Sequence, residues 1–181
     1  MDENIYKLQL LTLANEAEIY LRELFHDSEY GNLPKDEKKL YSHMEKLDRS
    51  GKLSHLRPEQ REIVLPGNKK TNSAKFDTIL LSHFLLTHAK LTKPARAALE
   101  KIGEEKNLIL SNPDITYQEF ETRWNNMETF LRRLGYPYDC HAKYIKAAYD
   151  FDQLDALDGI EDSLRKSERE IKEYNDKNKF K

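Results

Sequence analysis

The chain of 181 residues carries 30 basic and 32 acidic side chains, so its formal charge of −2 draws it as a whole to neither nucleic acid nor an anionic membrane. Hydrophobic residues make up only 38% and mean hydropathy is −0.85, yet ten Tyr, seven Phe and one Trp argue against disorder, and the length suits one domain. Cys140 is the only cysteine, which excludes an internal disulfide and a cysteine-based zinc site.

No apolar run has membrane-spanning length, and no basic-then-apolar leader opens the chain. A soluble, cytoplasmic protein is expected.

Residues 3–26 read as a helix: Tyr6, Leu10, Leu13, Ala17, Leu21 and Leu24 recur at steps of three and four. Gly31, Asn32 and Pro34 mark the turn after it. A more polar helix is expected from about Lys35 to Arg49, with Leu40, Met44 and Leu47 as its inner edge and Gly51 as its end. Pro58 suits the first turn of a short helix, because its missing N–H is not needed there, and that helix stops before Pro66-Gly67.

After the polar loop Asn68–Asn72, the segment from about 74 to 90 is the one stretch apolar on nearly every side. It contains Phe76, Ile79, Leu80, Leu81, Phe84, Leu85 and Leu86. Such a helix must be surrounded by others, and it is expected at the centre of a bundle, capped by Asn72 or Ser73. A further helix opens at Pro94, is expected to loosen at Gly103-Glu104-Glu105, and continues to Ser111-Asn112-Pro113.

Thr116-Tyr117-Gln118-Glu119 is a capping box, and the helix it starts carries Phe120, Trp124, Met127, Leu131 and Leu134 on one face. Gly135 ends it. Two last helices are expected near 139–149 and 152–175, then a frayed tail over 176–181. No segment alternates as a strand would, and Val occurs once. The predicted class is all-α: a single-domain helical bundle over residues 1–175.

Three landmarks occur in order: Leu56-Arg57-Pro58-Glu59-Gln60, then Phe76-Asp77 with Leu80-Leu81, then Phe120 and Trp124 leading to Leu131-Arg132-Arg133-Leu134-Gly135. Together, over about Leu40 to Gly135, they resemble the HEPN domain of the DZIP type, the helical domain of the DAZ-interacting ubiquitin ligase and related animal immune-type proteins. The resemblance implies a helical bundle that dimerises. In active members it implies an Arg-polar-x4-His motif that cleaves RNA without metal at a site composed from two protomers. Arg would neutralise a phosphate in a planar two-point contact, and His would move the proton.

The matching place here is Lys106-Asn107-Leu108-Ile109-Leu110-Ser111-Asn112, with Lys106 where Arg would stand and Asn112 where His would stand. Lys can hold a phosphate as a point charge, but Asn cannot exchange a proton at any accessible pH. The resemblance therefore implies a binding module rather than a nuclease, with a second copy and a protein of a signalling or ubiquitin pathway as partners. The runner-up is a metal-independent endoribonuclease using Lys106 and Asn107. An RNA- or nucleotide-binding module without cleavage lies between them.

The other candidates have plainer readings. Arg49…His55 fits a loose Arg-x5-His pattern in a Gly-broken segment and reads as a helix end with an exposed His. His83 and His88 are five apart and do not share a face as an i, i+4 metal pair does, so His83 reads as a hydrogen-bonded or rim residue. Cys140-His141 are adjacent and point apart on a helix. Glu104-Glu105 beside Lys106 read as solvated surface charge, as do Lys69, Lys70, Lys93, Arg96, Arg132 and Arg133. No cofactor and no metal is implied.

Overall fold

A computed structural model describes residues 3–137 together with Lys166, Arg169, Glu170 and Glu173, which are helical. The elements are α1 (Glu3–His26), α2 (Glu37–Arg49), α3 (Pro58–Val64), a 3-10 turn (Ser73–Lys75), α4 (Thr78–His88), α5 (Lys93–Ser111) and α6 (Tyr117–Arg133). No strand occurs among the described residues, and the fold is an all-α helical bundle. The helices expected at 139–149 and 152–175, the tail and the Cys140-His141 pair lie outside the described residues, the four helical positions apart. No described helix is long and apolar enough to cross a membrane.

The chain forms two compact units, one of residues 17–103 and one of residues 1–16 with 104–181. In the first, the turn after α1 follows from its residues. The Gly31 N–H donates to the Leu24 carbonyl, and Leu33 N–H donates to that of Phe25. A Cβ on Gly31 would lie 2.4 Å from the Phe25 carbonyl oxygen, so only glycine fits. The Asp36 side chain caps α2 by accepting from Lys39 N–H, and Leu40, Met44 and Leu47 are its buried edge. Gly51, at φ 78°, releases the chain from it.

The apolar helix α4 is shorter at its N-terminus than its composition suggests. Its cap is Asp77, whose carboxylate accepts from Leu80 N–H at 2.8 Å, and Asn72 instead caps the 3-10 turn through Ala74 N–H. Phe76 therefore sits outside the helix and packs as a side chain of the loop. Its ring centre lies 5.4 Å from Phe25 and 5.8 Å from Phe84, and Phe25 lies 5.9 Å from Phe84.

All three rings are fully buried, and each such contact is worth about 0.5–1.5 kcal/mol beyond area burial. Arg22 of α1 holds the turn from outside, donating from Nε to the Ser73 carbonyl and from Nη2 to that of Phe76, each at 2.9 Å. Leu80, Leu81, Phe84 and Leu85 are buried, as a helix apolar on most sides requires, but Ile79 is 41% exposed.

α5 starts on a Thr92 hydroxyl that accepts from Ala95 N–H and runs unbroken through Gly103. The expected loosening does not occur, because Gly103 is there for space. A Cβ would come within 2.9 Å of Ile79 Cγ1, so the glycine admits that side chain rather than breaking the helix.

In the other unit, the Thr116 hydroxyl accepts from Glu119 N–H at 3.2 Å, and the Glu119 carboxylate accepts from Thr116 N–H at 3.4 Å, closing the predicted capping box. At the far end of α6, Gly135 has φ 81°, its N–H donates to the Arg132 carbonyl, and Tyr136 N–H donates to that of Leu131. That pair of bonds is a Schellman motif. Trp124, Met127, Leu131 and Leu134 are buried as predicted, and so is Phe130. Phe120 is half-buried, with its ring 5.0 Å from Tyr6 of α1 and 5.6 Å from Trp124.

Candidate functional site

Lys106 and Asn107 lie on the last turns of α5, and Asn112 is the first residue beyond it. Lys106 is half-buried and engaged, while Asn107 is exposed. Asn112 belongs to the turn that joins α5 to α6. Its Nδ2 donates to Glu119 Oε2 at 2.7 Å, and its Oδ1 accepts from Asp114 N–H at 3.3 Å. The amide thus extends the capping box by one bond, using donor and acceptor together.

Next to this segment stands a polar cluster that composition misassigns. Glu104 is exposed, but Glu105 is 6% exposed and is not solvated surface charge. Arg123 Nη1 of α6 donates to Glu105 Oε1 at 2.8 Å, and Asn126 Nδ2 donates to the same oxygen at 3.3 Å. Glu105 and its donors sit on facing helices, with Arg123 and Asn126 three apart and so on one side of α6. A buried carboxylate needs such donors, because leaving its charge unpaired in the interior is costly.

The second constellation lies in the unit of residues 17–103 and brings together four of the six histidines. His55, in the loop between α2 and α3, and His83 of α4 place their Nε2 atoms 2.9 Å apart, with ring centres at 4.3 Å and planes inclined by 55°. One ring donates and the other accepts, so the acceptor carries its own proton on Nδ1. His43 of α2 faces His88 of α4 with centres 5.9 Å apart, and His88 stacks on Phe84. The Nε2 atom of His43 is buried without a hydrogen-bond partner.

Burial lowers the pKa of His83, and the neighbouring His55 lowers it further. Burial likewise lowers that of His88, followed by His43, Lys52 and His83, and that of His43, followed by Lys46. All the charged neighbours that act on these rings are basic. Of the three acidic residues of α2, Asp48 pairs with Arg61 at 3.0 Å and Glu45 with Arg49 at 3.6 Å.

His83 is thus the hydrogen-bonded residue its position suggested, and it does not join His88 in a metal pair. Arg49 and His55 have different partners and make no joint site. Arg96 pairs with Glu100, and Arg132 with Glu128, as surface charges do. His26 is a structural residue. Its Nδ1–H donates to the Leu33 carbonyl at 2.9 Å, and in the neutral ring Nε2 accepts from the Ser73 hydroxyl at 2.7 Å.

Periodicity could not have paired His55 with His83 across 28 residues, since His55 lies in a loop whose path the core decides. Among the described residues no group of three His, Cys, Asp or Glu side chains is placed to hold a metal ion. No family model matches this chain, and neither a curated protein nor a solved structure matches it.

Proposed function

We propose that this chain is a non-catalytic, HEPN-like interaction module that pairs with a second copy of itself and recruits a protein partner in cytoplasmic signalling or innate defence. The observation that supports this reading is the employment of Asn112. In the place where the resemblance would put a proton-transferring His stands an amide that ties Glu119 and Asp114 N–H into the α5–α6 turn. An amide neither accepts nor releases a proton near neutral pH, and the carboxylate this one holds would repel a phosphate oxygen. Beside it, Leu108 is 45% and Tyr117 is 56% exposed, apolar surface of the kind that interfaces cover.

The test is incubation of the purified chain with single-stranded RNA in EDTA, alongside light scattering for mass. Intact RNA and a dimer mass are expected. Specific cleavage abolished by Lys106→Ala or Asn107→Ala would overturn the reading in favour of a metal-independent endoribonuclease.

A further inference from the structure

We propose that His55 and His83 form a two-imidazole site for a divalent transition-metal cation of octahedral or tetragonal preference, Ni2+ or Cu2+, with water filling the other positions. The site stands on geometry. The two Nε2 atoms are 2.9 Å apart. An ion held about 2.0–2.1 Å from each nitrogen would then see them about 90° apart, whereas tetrahedral ligands at that bond length need about 3.3 Å. The separation therefore fits adjacent corners of a square or octahedron and not the tetrahedron that zinc prefers.

Ring inclination agrees with this. A straight N–H···N bond of the same length would hold the ring centres about 5 Å apart, but they stand 4.3 Å apart with planes at 55°. The rings lean rather than meet head-on, as two ligands of one ion must.

Access suits a ligand site. His55 is exposed on its loop, and His83 is half-buried on α4, so one ligand is rigidly placed and the other can adjust. On binding, the Nε2 proton shared by the pair moves through solvent to Nδ1 of its own ring, so both rings ligate as neutral tautomers and no proton is lost. Only two protein ligands are provided among the described residues, which makes this a labile, open site.

The experiment is a titration of the full, tag-free, chelator-dialysed chain with Ni2+, followed by calorimetry and by paramagnetic broadening of amide resonances. Ni2+ is the better probe because Cu2+ would oxidise the Cys140 thiol. Broadening centred on residues flanking His55 and His83 is expected. His55→Ala should weaken binding roughly tenfold or more, because the second imidazole otherwise binds intramolecularly.

His43→Gln should leave the affinity unchanged. His55 is exposed, so its removal leaves the packed interior intact and the variant remains folded. Equal affinity in His55→Ala, or broadening centred on Cys140-His141 or elsewhere, would overturn the assignment.

Discussion

Glu105 and the histidines of α2 and α4 are both polar groups drawn out of water, but their surroundings differ in sign. Glu105 is met by a guanidinium and an amide, so its charge is compensated where it sits. His43 and His88 are met by each other and by Lys46 and Lys52, and the Nε2 atom of His43 has no hydrogen-bond partner. The first arrangement supplies an opposite charge, whereas burial and basic neighbours in the second disfavour the charged form of the rings. A chain can therefore bury ionisable groups in two ways: by supplying the opposite charge, or by choosing a residue that can give its charge up.

The sharpest way to break this contrast is Arg123→Ala. It leaves the Glu105 carboxylate buried with only Asn126 as donor, and a loss of about 3 kcal/mol is expected from urea unfolding monitored by circular dichroism. A variant as stable as the parent would mean that water, not Arg123, satisfies the carboxylate.

Acid probes the other cluster. His43 and His88 have pKa values lowered below 6.5, so below that value the unfolded chain binds more protons than the folded one. Their contribution is complete above the unfolded pKa and is lost as pH falls through 6.5 and below. Each ring contributes a slope of at most about 1.4 kcal/mol per pH unit, reduced because both rings are partly solvated. The double change His43→Gln, His88→Gln should flatten the fall in stability as pH drops below 6.5. An unchanged slope would refute the assignment.

Smallest is Arg49→Ala, which removes an exposed pair with Glu45. A change of at most about 0.5 kcal/mol is expected in the same unfolding measurement. A larger loss would show that α2 depends on surface charge and would blur the distinction between buried and exposed ions.

Much of the local structure was legible in the residues. The Thr116 cap, the glycines at 31 and 135 and the buried edges of α2 and α6 follow from steric and hydrogen-bonding demands that each short segment makes on itself. Where local pattern misled, a distant partner had intervened. Gly103 looks like a helix breaker until Ile79 is seen against it. Glu105 looks like surface charge until α6 brings Arg123 and Asn126 to it. Phe76 looks like part of a helix until Asp77 takes the cap and the ring turns to Phe25 and Phe84.

By itself, then, the sequence determined that this chain is all-α, where most of its described helices stop, and that Asn112 offers no titrating group at its position. Those properties depend on residues within a turn or two of each other. The pairing of His55 with His83 across 28 positions, the compensation of Glu105 across 18 and the unpartnered nitrogen of His43 were decided only by tertiary structure. Periodicity reports which face of a helix is buried, but not which side chain of another element will be waiting there.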